Sequence, residues 1–186
     1  MLHPFQEILS LVQAALVHNG ASPLQAETTA LALVTAQASG LPSHGLSRVS
    51  MYVSHLRAGR VLGNAEPSIL HERTASLLID AGNGFAFPAC RLAIEQAITR
   101  AKQNGIAIAA VTNSHHFGMA AYHLDPVAEA GMVGIACGNS PAAMPAAGSG
   151  RAALGMRSTN VGGGNGRVQQ QQKQQKQQGA SKPAAP

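Results

Sequence analysis

The spacing of apolar residues changes once along this chain, and that change limits the folds open to it. Up to residue 56 apolar side chains return at helical spacing, whereas from about residue 69 they come in short continuous runs. Phe5, Ile8, Leu9, Val12, Ala15 and Leu16 form the first stripe, followed by Gly20 where a left-handed C-terminal cap would sit. Ser22 with Gln25 gives a capping box, Pro23 suits a first helical position, and an Ala/Leu-rich run continues to Gly40. After Gly40, Leu41 and Pro42, Ser43 is placed to cap a third helix carrying Leu46, Val49, Val53 and Leu56 and leading to Gly59.

Beyond these helices, Ser76–Asp80 reads as a strand before the turn at residues 81–84, and residues 88–104 read as a helix. Ile106–Val111 and Met132–Cys137 are two buried-strand candidates, separated by a helix over about 119–130. The expected class is α/β, with a helical leader over residues 1–60 and a sheet-bearing part over 61–155. Residues 156–186 stand apart. Gly162–Gly166 lead into a Gln/Lys tract with almost nothing apolar to bury, so disorder is expected from about residue 161.

The net charge of +5 on 186 residues suggests nucleic acid until it is divided by position. Arg167, Lys173, Lys176 and Lys182 supply four of those charges, leaving one for residues 1–160. With no Trp, two Tyr and four Phe, the body offers no basic surface with interleaved stacking rings, so no nucleic-acid partner is expected. There is no run of eighteen apolar residues and no basic start or cleavage site of a secretory leader, so the expectation is a cytoplasmic protein without a membrane partner. Cys90 and Cys137 are too few for a disulfide framework, and both are expected to be buried structural thiols.

Three segments could carry chemistry. In Ser43-His44-Gly45-Leu46-Ser47-Arg48, His44 and Arg48 are four apart and would share one face of a helical first turn. Reduction of a 2-oxoacid needs such a pair: a guanidinium to clamp the carboxylate and an imidazole to protonate the carbonyl oxygen as hydride arrives. Ser43 could orient the imidazole; a capping Ser beside an exposed Arg is the plainer alternative. The second segment runs from Asn113 through His115, His116, Phe117 and Gly118 to Met119 and Ala120, between a strand and a helix, where ligands and phosphates are favoured. A polar loop with one buried His, or a metal site using His115, His116 and His123, are the competing readings, and no metal is expected because adjacent imidazoles seldom converge. The third is Gly138-Asn139-Ser140-Pro141 followed by Ala142, a tight loop in which backbone could approach a ligand, with a connecting loop without function as the plainer alternative. No dinucleotide fingerprint or phosphate loop occurs in the right context.

Taken in order, SHGLSRV at 43–49 with Tyr52, IDAGNGFAFPA at 79–89, NSHHFG at 113–118 and the GNSPAAMPAAG loop resemble the malate/L-lactate dehydrogenase family. That family also contains ureidoglycolate, sulfolactate, diketogulonate and Δ1-piperideine-2-carboxylate oxidoreductases. The likeness covers about residues 4–155. It implies an NAD or NADP cofactor, a mixed, largely antiparallel sheet that is not a Rossmann fold, a partial NAD(P)-binding domain over 61–155, and a homodimer. It also implies roles: His44 as proton donor with Ser43 as its polar partner, Arg48 on the substrate carboxylate, Asn139, Ser140 and Ala142 beside the substrate, and His116, Phe117, Gly118, Met119 and Ala120 against the cofactor. The piperideine-carboxylate reductases carry Thr where this chain has Ala142, which weakens that one substrate. Family members run close to LFGTNPIAFA after the glycine-rich loop, whereas here Leu154 and Gly155 precede Met156, Arg157, Ser158, Thr159 and Asn160. The expectation is therefore a truncated or frameshifted member covering the N-terminal half, an NAD(P)H-dependent oxidoreductase of small 2-oxoacids or cyclic imino acids with impaired activity. The alternative is a non-catalytic interaction protein whose basic Gln-rich tail binds an acidic partner.

Overall fold

The computed structural model describes residues 3–139 and, beyond them, the backbone of residues 142–145, 152–155 and 158–162. The chain divides into two compact units, Met1–His123 and Leu124–Pro186. In the first, α1 (Phe5–His18) turns its apolar stripe inward at Val12 and Leu16 and closes at Gly20, whose φ of +97° places it in the left-handed region. α2 (Pro23–Ala38) begins as expected, with Pro23 in its first turn and the Ser22 hydroxyl accepting from the Gln25 N–H.

The second half of the expected capping box does not form. The Ser22 N–H donates to the Gly63 carbonyl, and the Gln25 amide instead donates to the Ala65 carbonyl at 2.7 Å and accepts from the Phe85 N–H at 3.0 Å. Gln25 is fully buried, so these two bonds satisfy an amide that would otherwise be costly there, and they anchor two later segments on α2.

α3 (Val49–Arg57) starts five residues later than the Ser43 cap would have it. Pro42–His44 and Leu46–Arg48 form two 3-10 turns instead, hinged at Gly45. A Cβ on Gly45 would stand 2.7 Å from the Gln37 Oε1 and 3.0 Å from the Gln37 Cα, so the chain crosses α2 too closely for any other residue or for a regular helix. Gly45→Ala is expected to lose about 1–3 kcal/mol of stability by overpacking, measured by urea denaturation.

β1 (Ser68–Arg73) pairs antiparallel with β2 (Ser76–Asp80), which pairs parallel with β3 (Ile108–Thr112) across α4 (Ala86–Asn104). Leu77 and Ile79 of β2 bury against Ala89 and Ala93 of α4. Phe85 and Phe87 join the helical core with Leu16, Leu33, Tyr52 and Val61. α5 (Ala120–Glu129) leaves this unit. In the second, its Leu124 and Val127 crowd Gly134 at the start of β4 (Gly134–Gly138), where a Cβ would be 2.7 Å from Leu124. β5 (Ala142–Pro145) pairs with β6 (Ala152–Gly155), and β4 with β7 (Ser158–Gly162), both antiparallel.

The class is α/β, and the strands are mixed and largely antiparallel. Two expectations of burial fail. The strand candidates at 106–111 and 132–137 keep Ile108 66% and Ile135 68% exposed, because one face of each has no described residue against it. Cys90 is half-buried, its thiol pushed up to about 12 by burial, but Cys137 is exposed. The disorder expected from about residue 161 falls, from residue 163 onward, outside the described residues.

Candidate active site

The double 3-10 turn folds Ser43, His44 and Arg48 onto one another. The His44 N–H donates to the Leu41 carbonyl, the Gly45 N–H to that of Pro42, and the Arg48 N–H to that of Gly45. The Ser43 hydroxyl lies 3.1 Å from Nδ1 of His44, and Nε of Arg48 donates to the Ser43 carbonyl at 2.6 Å. The two groups meet through this irregular turn, not through the helical i,i+4 face that the spacing suggested. Nε of Arg48 is thereby used to fix the side chain and Nη1 reaches Met51 Sδ at 3.8 Å, which leaves the remaining terminal guanidinium N–H groups for a ligand.

The loop after β3 supplies the opposite wall. Asp80 Oδ1 accepts from the Asn113 side chain at 3.0 Å and from the Gly82 N–H, while the Asn83 N–H donates to the Asn113 carbonyl. Asn83 and Asn113 both hold positive φ, which asparagine tolerates better than most residues, so the ends of β2 and β3 are tied together. Gly118, at φ +73°, lies where a Cβ would touch the Phe87 ring at 3.0 Å, and this seats the loop on the aromatic core. The loop brings the His116 ring beside His44, centroids 5.7 Å apart and 28° from parallel.

Behind these two rings stands a layer that sequence spacing did not assign. The hydroxyl of Tyr52, fully buried on α3, lies 2.9 Å from Nδ1 of His116. One turn further along α3, Nδ1 of His55 lies 2.7 Å from Nε2 of His115, whose ring meets Tyr52 edge-on. The available signal was the i,i+3 spacing of Tyr52 and His55 on one helix face, but their partners are sixty or more residues away in sequence.

Burial pushes His115 and His116 from 6.5 down to about 4; His55 adds to the shift in His115, and Arg48, His44 and His115 to that in His116. Burial likewise lowers His123, whose Nε2–H donates to the Phe117 carbonyl at 2.7 Å, and raises Tyr52 above its usual range. A folded-state pKa below the unfolded one means that the unfolded chain takes up protons first. The stability held above about pH 6.5 is therefore lost as pH falls toward 4. Partial exposure screens the effect to about 1 kcal/mol for each of His115 and His116. Thermal melts should fall between about pH 7 and pH 5, and less steeply in the His115→Asn, His116→Asn double variant.

Ser43, His44, Arg48 and His116 thus converge within the first unit. Phe117 is half-buried, and Gly118, Met119 and Ala120 are buried. Asn139 is exposed just after β4, Ala142 opens β5, and Ser140 lies outside the described residues. His115, His116 and His123 point to three different partners, and among the described residues no three metal-ligating side chains gather.

A family profile described as malate/L-lactate dehydrogenase matches residues 3–163. The chain is 39% identical over 140 residues to the (2R)-3-sulfolactate dehydrogenase (NADP(+)) of Chromohalobacter salexigens, covering 75% of this chain and 41% of that protein. It is 39% identical over 137 residues to the Δ1-pyrroline-2-carboxylate/Δ1-piperideine-2-carboxylate reductase of Pseudomonas putida, covering 74% and 40%. The solved malate dehydrogenase of Pyrococcus horikoshii OT3 superposes with a TM-score of 0.82 at 29% identity, over 88% of this chain and 47% of that one. The chain therefore spans about two fifths of the length of these curated relatives.

Proposed function

This chain belongs to the malate/L-lactate dehydrogenase family, and from that we propose that it serves NADH- or NADPH-dependent reduction of a small 2-oxoacid or cyclic imino acid. The observation that carries the reading is the convergence of Ser43, His44, Arg48 and His116 in one cluster. A bound reduced nicotinamide supplies the hydride. The residues fit such a group in part: His116 offers a ring nitrogen, Phe117 a half-buried side chain, and Gly118 to Ala120 backbone.

Arg48 holds the substrate carboxylate through its terminal N–H groups, the fork geometry that a carboxylate accepts bidentately. That fixes the carbon at position 2 relative to His44. With Nδ1 partnered to Ser43, the imidazolium presents its Nε2–H to the carbonyl oxygen, or to the nitrogen of an imine, and gives up that proton as the bond to hydrogen forms at carbon. A neutral His116 adds no further cation beside Arg48 and His44. For Asn139, Ser140 and Ala142 the reading assigns substrate binding by resemblance alone.

The same reading places the protein in the cytoplasm as a homodimer; among the described residues no helix is long and apolar enough to cross a membrane. Oxidation of NADH and NADPH followed optically with pyruvate, oxaloacetate and piperideine-2-carboxylate tests the activity. Turnover with at least one substrate is expected, and absence of turnover with all of them counts against it. Arg48→Lys, which keeps the charge but loses the fork, is expected to raise KM by about tenfold with a smaller change in kcat.

A further inference from the structure

We infer that Tyr52 is a positioning residue. Its hydroxyl donates to Nδ1 of His116, which holds that ring as the Nε2–H tautomer and turns it into a fixed hydrogen-bond donor for an anionic or carbonyl oxygen of a bound ligand.

Three observations lead there. Tyr52 is fully buried, and among the described residues its hydroxyl has one hydrogen-bond partner, Nδ1 of His116 at 2.9 Å. Were the proton on Nδ1, the imidazole would donate to the phenol oxygen and the Tyr52 O–H would have no other acceptor among the described residues. Stranding a buried hydroxyl in this way biases the tautomer ratio by roughly tenfold or more. The second observation is that burial disfavours protonation of His116, with Arg48 and His44 acting in the same direction. A doubly protonated ring, which would donate from both nitrogens, is therefore disfavoured near neutral pH. The third is placement. The His116 ring lies nearly parallel to His44, and its Nε2 has no hydrogen-bond partner among the described residues, so the donor Tyr52 creates is unspent.

Phe85 stacks on the Tyr52 ring at 5.1 Å and His115 meets it edge-on, so the phenol is held from behind as well as by its hydroxyl. Tyr52 therefore acts through His116 without reaching a ligand itself. That His116 meets a ligand rests on the oxidoreductase reading above; its tautomer does not.

The test is long-range 1H–15N correlation on the full chain labelled with 15N-histidine at about pH 7, with His116 assigned by its absence in His116→Gln. In the wild-type chain His116 should appear as a single Nε2–H tautomer with Nδ1 as an acceptor. In Tyr52→Phe, which keeps the ring and loses one oxygen, the Nδ1–H form should rise at least severalfold, while the His115 signals stay in place and report an intact fold. A wild-type His116 protonated on Nδ1 overturns the inference even if Tyr52→Phe does not fold. So does a tautomer ratio that is the same in both chains. Loss of the oxidoreductase reading would show in the turnover assay and leave this spectrum unchanged.

Discussion

Replacing His44 by alanine is expected to slow reduction of the oxoacid by about 10²–10⁴-fold, the range that a positioned general acid commonly contributes. The loss should be large because the surrounding rings cannot take over. His115 and His116 are held down to about 4 and are not proton carriers near neutral pH. The Tyr52 hydroxyl is committed to His116, and its ionisation is pushed above the usual range by burial. Arg48 does not release a proton. The effect should fall on kcat, since the carboxylate clamp is untouched, and KM should move little. Steady-state rates for the wild-type chain and His44→Ala measure it; a loss of less than about threefold would mean that the proton comes from elsewhere.

The largest expected effect on stability is that of Phe85→Ala, about 3–5 kcal/mol, as for other fully buried aromatic side chains. Phe85 is 0% exposed, and it precedes α4 at the point where its N–H meets Gln25, so its ring is fixed from both directions. It stacks on Tyr52 and meets His115 at 5.8 Å. Truncation would open a cavity beneath the two rings that carry the site's second layer. Urea denaturation should show the loss, and the His115 and His116 ring resonances should shift with it. A change below about 1 kcal/mol would show that the core collapses around the gap.

Features of this fold that depend on neighbours along the chain were legible in its sequence. Pro23 and Ser22 start α2 through contacts within one turn, and Gly20 closes α1 in a left-handed conformation, a requirement that glycine announces. Ser43 was also read as a helix cap, without the box that Gln25 suggests for Ser22, yet α3 begins at Val49. What separates the two is Gln37, nine residues before Leu46, whose approach to Gly45 is a tertiary fact that no local pattern encodes. β1 escaped notice for a different reason. All six of its residues are exposed, so no alternation marks it and pairing with β2 alone defines it.

The candidate site divides in the same way. His44 and Arg48 could be picked out because a 2-oxoacid requires both groups and they stand close in sequence. Their actual meeting, through the Ser43 carbonyl and hydroxyl, follows from two 3-10 turns. Tyr52 and His55 were invisible as site residues because each is defined by an imidazole sixty or more positions away. The apolar runs at 106–111 and 132–137 read as buried because hydrophobicity records what a strand can cover, not what lies against it.

Label transfer from reduced nicotinamide cofactor deuterated at the hydride position asks most directly whether this chain's His44 and Arg48 form a working reductase site. Each oxoacid and imino acid is incubated with the chain and either labelled NADH or labelled NADPH, and the product is read by mass spectrometry. One deuterium at carbon 2 of the hydroxy- or amino acid product is expected from the wild-type chain, with at least tenfold less from Arg48→Ala. Unlabelled product, no product with any substrate, or equal labelling by Arg48→Ala would contradict the proposed site.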